Sequence, residues 1–127
     1  MIYLGTDLVE IERVELAVRR HPALWERLLT PREIAYCQGK GNPIQALAGR
    51  FAAKEAVLKC LGIGLRSCSW HDLEVLPDAL GGPQVSFQQA LRRVLQEKEI
   101  NMVKVSITHS RHYAMAVAIG ECLPKCD

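Results

Sequence analysis

The sequence predicts an α+β fold in which helices pack on a mostly antiparallel sheet. The candidate elements follow in the order strand, several helices, two strands, helix and two strands, which differs from the regular strand–helix alternation of a parallel sheet. A long apolar helical pattern lies near the middle of the chain and predicts a central helix. The 127 residues show no repeat, low-complexity stretch or convincing linker, so we expect a single domain over residues 1–127.

The first third of the chain predicts one strand and three helical segments. Residues 2–9 are rich in strand formers and alternate in polarity, whereas residues 10–20 carry apolar side chains among charges and stop before Pro22. A further helical turn or two is predicted over residues 24–29. Residues 30–33 then form a strong helix start, with a threonine cap, a proline in the first turn and a glutamate that completes a capping box.

The long helix is predicted over residues 42–62. Gly39 and Gly41 end the preceding helix, and Pro43 suits the first turn of the new one. Residues 62–66 contain two glycines and predict a flexible loop directly after it.

The second half predicts two pairs of strands around one helix. Short strands at residues 73–76 and 84–85 flank a Gly-Gly-Pro turn. Ser86 and Gln89 match a capping box, which predicts a helix from Phe87 to Glu97.

The last two strands are predicted to form a hairpin. They cover residues 103–108 and 113–119, and residues 110–112 link them. The strand over residues 113–119 is apolar throughout, so the sequence leaves open whether it lies in the core or at an interface.

Composition excludes several classes of protein. With 49% hydrophobic and 24% charged residues the chain is globular rather than disordered, and a net charge of +2 argues against a dedicated nucleic-acid binder. No apolar run approaches the ~20 residues of a membrane span, and the first residues lack the features of a signal peptide, so we expect a cytoplasmic protein. The odd count of five cysteines indicates free thiols, and Cys122 and Cys126 are a weak candidate for a zinc site.

Glu55 stands out because it interrupts the apolar face of the long helix. That face is formed by Ile44, Leu47, Ala48, Phe51, Glu55, Leu58 and Gly62. A carboxylate on a core-facing stripe is unfavourable unless a cation, a metal ion or water at a site satisfies it. Lys59 lies one turn later, so one interpretation is a structural Glu55–Lys59 ion pair. The other interpretation is a site that holds a metal ion and an anionic ligand.

Asp7 is a second carboxylate in an otherwise uncharged strand. Gly5, two residues earlier on the same face, leaves room for close approach of another element. Taken alone, Asp7 is explained as a strand-end residue that caps the next helix. Together with Glu55 it predicts a divalent-metal site, because Mg²⁺ prefers few protein carboxylates plus water and phosphate oxygens. The basic residues that suit a polyphosphate on that ion are Arg50, Lys54 and Lys59.

Five segments then match the pattern of a known family. They are GTDLVEIER (residues 5–13), LTPRE (29–33), GRFAAKEAVLK (49–59), WHDLEV (70–75) and VSITHS (105–110). In this order and at this compact length the chain resembles the bacterial holo-(acyl-carrier-protein) synthases, the small group of 4′-phosphopantetheinyl transferases. The segment 49–59 is the most diagnostic, and the resemblance spans nearly the whole chain. Cys60 and the cysteine-containing tail depart from the family pattern without touching the implied chemistry.

The resemblance implies a transfer reaction. The family moves the 4′-phosphopantetheine arm of coenzyme A onto a serine of apo-acyl-carrier-protein and releases adenosine 3′,5′-bisphosphate. Asp7 and Glu55 match the metal ligands of the family, and the serine hydroxyl attacks the β-phosphorus of coenzyme A. Glu55, directly or through metal-bound water, is our first assignment as the proton acceptor, and Glu33 is the alternative.

The coenzyme is expected to contact several further residues. Lys54 and Lys59 fit as contacts to its pyrophosphate, and Arg50 suits a nucleotide phosphate or an acidic partner. The loop glycines and a strand-end histidine complete the expected coenzyme site: Gly62, Gly64 and His109. Gly62 is equally explained as a plain helix C-cap.

The carrier protein is strongly acidic, so a basic docking surface is expected. Arg13 and Arg20 lie a heptad apart on one helix face, although neighbouring glutamates dilute the patch. The resemblance also implies a homotrimer with active sites between subunits, which is physically reasonable since 127 residues leave little room for a closed coenzyme cleft.

Two other functions remain as alternatives on the sequence. One is a non-catalytic module that binds a carrier protein or a nucleotide and uses the acidic pair structurally. The other is a different metal-dependent phosphoryl-transfer or hydrolytic enzyme. No Walker-type glycine loop, paired histidine ligands or Ser-His-Asp spacing supports a named version of the second.

Overall fold

The structure is a computed structural model that describes residues 1–66 and 68–124. Its helices and strands, in chain order, are β1 (Ile2–Glu10), α1 (Ile11–Arg20), α2 (Leu24–Leu28), α3 (Pro31–Gln38), α4 (Pro43–Leu61), β2 (Leu73–Pro77), β3 (Pro83–Phe87), α5 (Gln89–Glu97), β4 (Met102–His109) and β5 (Tyr113–Glu121). A 3₁₀ turn that the sequence analysis did not predict covers Trp70–Asp72.

The strands form two antiparallel sheets, which confirms the predicted α+β class. One sheet has the order β1-β5-β4, and the other pairs β2 with β3. In the larger sheet Gly5 pairs with Ala118 and Asp7 pairs with Ala116. The register therefore places Gly5 and Asp7 on the same face of β1 as the small residues of β5.

Helix α4 packs against the inner face of this larger sheet and contacts β1, β5 and β4. The inner side chains of β5 are alanines, which let the helix approach, and Ala114, Ala116 and Ala118 are fully buried. On the outer face of the same strand Tyr113 and Met115 are exposed. The strand is therefore core on one face and open on the other, because neighbouring residues of a strand point to opposite sides.

Helices α1, α2 and α3 cover the first half of α4 and build a second core with it. Val18, Leu29, Cys37 and Leu47 form the buried centre of this cluster. The predicted capping box is present, since the Thr30 hydroxyl accepts a hydrogen bond from Glu33 N at 3.2 Å and Thr30 N donates to Glu33 Oε1 at 2.9 Å.

Helix α4 begins and ends with local signals that are visible in the sequence. Asn42 Oδ1 accepts a hydrogen bond from Gln45 N at 3.1 Å, and Pro43 occupies the first turn. At the other end Gly62 adopts a left-handed φ of 68°, a conformation that glycine adopts without steric cost. No helix in the described ranges is both long and apolar enough to cross a membrane.

The predicted start of α5 is wrong. Ser86 and Phe87 belong to β3, where Ser86 pairs with Glu74 of β2. The helix begins at Gln89, and its N-cap residue Gln88 makes no side-chain capping hydrogen bond. Pairing with β2 satisfies the main chain of this segment, so the strand continues through the residues that resemble a capping box.

Candidate functional site

The candidate site lies where β1 crosses α4. Gly5 makes this crossing close, because a Cβ atom there would lie 2.6 Å from Cys60 N and closer still to the carbonyl oxygen of Ala56. Gly5 was expected to leave room for the close approach of another element, and the main chain of α4 is that element. Asp7, two residues along the same face of β1, is carried to the same side as Glu55 of α4.

Lys59 pairs with the strand rather than with the carboxylate on its own helix. Its Nζ lies 3.2 Å from Asp7 Oδ1 and donates a hydrogen bond to the carbonyl oxygen of Thr6 at 3.0 Å. The structural Glu55–Lys59 pair, which the sequence left open, does not form within the described ranges, where Lys59 is the only basic side chain in ion-pair contact with Asp7.

Glu55 is half-buried on the apolar face of α4. Burial raises the pKa of its carboxyl, the negative charge of Asp7 raises the pKa further, and the ammonium of Lys59 opposes both effects. Two carboxylates that influence each other in this way form a site of excess negative charge. A cation at this position would be stabilised by both acids.

The donor set fits a magnesium ion better than a metal that needs a complete protein cage. No cluster of three or more histidine, cysteine, aspartate or glutamate side chains occurs in the part of the chain that the structure describes. Mg²⁺ is commonly held by one or two carboxylates, with water and substrate phosphate oxygens as its other ligands. Asp7 and Glu55 match this requirement.

Both acids line a largely apolar groove of about 460 Å³, which we call the α1–α4 groove. Its lining comes from β1, α1, α2 and α4, and consists of Asp7, Leu8, Val9, Glu10, Arg13, Val14, Ala17, Val18, Leu24, Leu28, Phe51 and Glu55. The arrangement joins an apolar surface, which suits a docked helix or chain, to two acids at which chemistry can take place.

A second, basic cavity of about 260 Å³ lies between α3, α4 and β4. Its lining includes Arg50 and His109 from the predicted site, together with Tyr36 and Lys40, which the sequence analysis missed. The guanidinium carbon of Arg50 lies 4.2 Å from the centre of the Tyr36 ring, a cation–π contact that orients the buried side chain. Only its aromatic character distinguished Tyr36 in the sequence, and core residues share that signal.

Arg50, which lines this cavity, has an unsatisfied buried donor. Its Nε is the one buried side-chain nitrogen or oxygen without a hydrogen-bond partner in residues 1–66 and 68–124. An unpaired buried donor on a charged group is unfavourable by itself, and the remainder of the guanidinium belongs to a residue that lines the basic cavity. The basic cavity is therefore suited to a phosphate or carboxylate group.

Lys54 does not lie with the other predicted site residues. Its ammonium has no exposed surface and pairs with the equally buried Glu33 carboxylate at 2.6 Å. It also donates to the carbonyl oxygens of Leu28 at 3.0 Å and Trp70 at 2.8 Å. Burial lowers the pKa of Lys54, and the Glu33 charge opposes that shift.

The buried pair corrects two predictions. Lys54 is enclosed and its donors are used, so direct contact with a pyrophosphate is not compatible with this structure. Glu33 also accepts a hydrogen bond from Val75 N at 2.8 Å, which leaves it without access to a substrate hydroxyl. Both residues instead join α2, α3, α4 and β2 in the protein core.

The remaining predicted residues are at the surface. Gly62 is the helix C-cap described above. Among the described residues, apart from its chain neighbours, no atom lies within 4 Å of a Cβ placed on Gly64, so this part of the loop leaves room for a ligand. Arg13 and Arg20 are both exposed on α1. Arg13 also lines the α1–α4 groove, and its Nε lies 3.9 Å from Glu10 Oε2. Cys122 is an exposed free thiol, and its candidate zinc partner Cys126 lies outside the described residues.

Comparison with known proteins relates this chain to one family of enzymes. The model of the 4′-phosphopantetheinyl transferase superfamily matches residues 3–118. A holo-(acyl-carrier-protein) synthase from Moorella thermoacetica is 45% identical over 121 residues, which are 95% of this chain and 94% of the relative.

Solved structures agree with the sequence comparison. The holo-(acyl-carrier-protein) synthase of Neisseria meningitidis superposes with a TM-score of 0.88 at 35% identity and covers 95% of this chain and 99% of its own. The Helicobacter pylori synthase in complex with coenzyme A superposes with a TM-score of 0.81 at 30% identity and covers 93% of this chain and 99% of its own. The chain belongs to the 4′-phosphopantetheinyl transferase superfamily and, within it, to the holo-(acyl-carrier-protein) synthases.

Proposed function

We propose that this chain transfers the 4′-phosphopantetheine group of coenzyme A to a serine of apo-acyl-carrier-protein in a magnesium-dependent reaction. The product adenosine 3′,5′-bisphosphate is released, and the modified carrier protein serves fatty acid biosynthesis in the cytoplasm. The observation that carries the proposal is that Asp7 and Glu55 line the same apolar groove, in a chain of this family. One domain over residues 1–127 holds all the residues involved.

In the transfer step the serine oxygen forms a bond to the β-phosphorus of coenzyme A. The bond from this phosphorus to the bridging oxygen breaks, and that oxygen leaves with the electron pair as part of adenosine 3′,5′-bisphosphate. Glu55 accepts the serine proton.

Asp7 and Glu55 would hold Mg²⁺, which would supply charge neutralisation at the phosphate groups when bound. Lys59, whose side chain is 54% exposed, lies beside the acids, where a phosphate oxygen of the substrate would meet its ammonium. Arg50 and His109 bind a nucleotide phosphate in the basic cavity, where the unsatisfied Arg50 Nε supports the assignment. The loop that contains Gly62 and Gly64 lies against the coenzyme.

We assign carrier-protein docking to α1 and the α1–α4 groove. Arg13 and Arg20 supply exposed positive charge beside an apolar lining. An acidic helix with apolar side chains on one face would place its negative charges against these arginines and its apolar side chains in the groove. A serine next to such a helix would then lie close to Glu55.

The active form is a homotrimer in this proposal, with sites completed between subunits. The outer face of the larger sheet carries exposed apolar side chains: Ile2, Leu4, Leu8, Tyr113, Met115 and Ile119. A patch of this kind is typical of an interface. The α1–α4 groove and the basic cavity share no lining residue within one chain, so two subunits can each contribute one of them to a single coenzyme.

Intact-mass analysis of apo-acyl-carrier-protein tests the function directly. Incubation with this protein, coenzyme A and Mg²⁺ should add ~340 Da, the mass of a phosphopantetheine arm, and a chelator should abolish the addition. Asp7→Asn and Glu55→Gln should lose the addition while they keep the fold by circular dichroism. Coenzyme binding without any mass increase across a panel of carrier proteins would favour a binding module instead.

A further inference from the structure

The ammonium of Lys59 is bound to one of the two carboxylates that would hold a metal ion. It lies 3.2 Å from Asp7 Oδ1 and is also anchored on the Thr6 carbonyl oxygen at 3.0 Å. The Asp7 side chain is only 15% exposed, so the lysine contacts a carboxylate that has little surface open to solvent. Among the described residues no other basic side chain makes an ion pair with Asp7 or Glu55.

We propose that Lys59 is a resident counter-ion of the metal site, which a divalent ion displaces from Asp7 and thereby releases to contact the phosphate groups of the substrate. This inference rests on the proposed function, because it takes Asp7 and Glu55 as the metal ligands. It adds an order of events: Lys59 is held by the strand before the metal binds and becomes free afterwards.

Electrostatics supports the exchange. An ammonium and a divalent cation repel one another, and both are attracted to the same carboxylate oxygens. An exposed ion pair contributes little, so a lysine that is half-exposed can be displaced by an ion of higher charge. Direct hydrogen bonding to Asp7 would also use lone pairs that a metal ligand needs.

The position of Lys59 on α4 makes the released side chain useful. It lies one helical turn after Glu55, so it stays beside the acidic pair when its contact with Asp7 is broken. Its long, flexible side chain can then follow an anion bound at the pair. The ammonium of Lys59 thus neutralises the acidic pair before the metal binds. After the metal has bound, the same charge neutralises the phosphate groups of the substrate.

Binding of Mn²⁺ to the free protein, in the absence of coenzyme A, tests this inference. Mn²⁺ is a paramagnetic probe of magnesium sites, and its affinity can be measured by electron paramagnetic resonance. Lys59→Met removes the competing charge and should tighten Mn²⁺ binding about threefold to tenfold, although the transfer reaction slows. Lys59→Arg keeps the charge and should bind Mn²⁺ with nearly wild-type affinity.

The controls separate failure of the inference from failure of the proposed function. Unchanged or weaker Mn²⁺ binding by Lys59→Met, while Asp7→Asn loses binding, would overturn the exchange and leave the metal site intact. Wild-type affinity in Asp7→Asn, or no binding by the wild type, would overturn the metal assignment and the exchange together. A melting temperature for each variant checks that the fold is retained.

Discussion

Gly5 of β1 lies so close to the main chain of Ala56 in α4 that no side chain fits between them. This contact sets the distance between the strand that carries Asp7 and the helix that carries Glu55. Because the obstructing atoms belong to the helix main chain, they cannot turn aside as a flexible side chain would.

Gly5→Ala is therefore expected to force the strand and helix apart. We expect a loss of at least about 2 kcal/mol in the free energy of unfolding, measured by urea denaturation, and a larger relative loss of transfer activity. Gly41→Ala is the matched control for stability, since a Cβ at that position has no atom within 4 Å in the described part of the chain, apart from its chain neighbours. Equal stability of the two variants would show that β1 and α4 are not in close contact at Gly5.

The buried Lys54–Glu33 pair should be important for stability. Lys54→Met leaves the Glu33 carboxylate unpaired in the core and should cost about 3–5 kcal/mol in urea denaturation. Arg32→Met is the control, because the Arg32–Glu74 pair has an arginine that is 77% exposed and should contribute less than about 1 kcal/mol.

The same pair distinguishes a core role from a ligand contact. A double variant, Lys54→Met with Glu33→Gln, should lose less stability than the sum of the two single variants, since each single change leaves a buried partner unsatisfied. If Lys54→Met keeps wild-type stability but binds coenzyme A more weakly, the result would support a contact between Lys54 and the pyrophosphate and contradict the core role.

Arg50 is expected to recognise a phosphate of the coenzyme in the basic cavity. Arg50→Ala should raise the KM for coenzyme A about 10-fold to 100-fold, the range for loss of hydrogen bonds to a charged group. Wild-type enzyme should discriminate against 3′-dephospho-coenzyme A, and the variant should lose this discrimination if the 3′-phosphate is the group bound.

Tyr36 supplies the control for the orientation of Arg50. Tyr36→Phe keeps the aromatic ring and should behave as the wild type, whereas Tyr36→Leu removes the cation–π contact and should weaken coenzyme binding in part. If Arg50→Ala and the wild type have the same KM for coenzyme A, Arg50 does not bind a phosphate of the coenzyme.

Charge reversal on α1 tests carrier-protein docking. Arg13→Glu with Arg20→Glu should raise the KM for the carrier protein about tenfold or more and leave coenzyme A affinity unchanged, with the difference shrinking at high salt. Arg93→Glu, an exposed arginine on α5, is the control. Equal damage to both substrates by the α1 variant would argue against docking on this helix.

The outer face of the larger sheet should control assembly. Leu4 and Ile119 are direct cross-strand partners and are both exposed, so Leu4→Lys with Ile119→Glu places a favourable ion pair on the sheet while making the face polar. Light scattering should report three chain masses for the wild type and one for the variant. Leu80→Lys, at a position 97% exposed outside this face, should remain trimeric.

Most of the secondary structure could be predicted from short local patterns in the sequence. The capping box of Thr30 and Glu33 and the glycine after α4 act over a few residues, so their partners can be recognised along the chain. The similar pattern at Ser86 and Gln89 was misleading, because main-chain pairing with β2 is a distant interaction that local sequence does not record.

The acidic pair could be predicted because each carboxylate interrupts an apolar run, and the family motifs agree with both positions. The roles of the two lysines could not. Lys54 and Lys59 are five residues apart, so they point about 140° apart around the helix. Which of them meets a buried carboxylate and which meets the surface depends on what packs against each side of α4.

The sequence by itself thus determined the order of the elements, the family and the two acids, because these depend on residue type and short spacing. Only the tertiary structure decided that Glu33 neutralises Lys54, that Lys59 pairs with Asp7 and that Tyr36 orients Arg50. Each of these contacts joins different elements, and its existence depends on how the chain packs around α4 rather than on any local pattern.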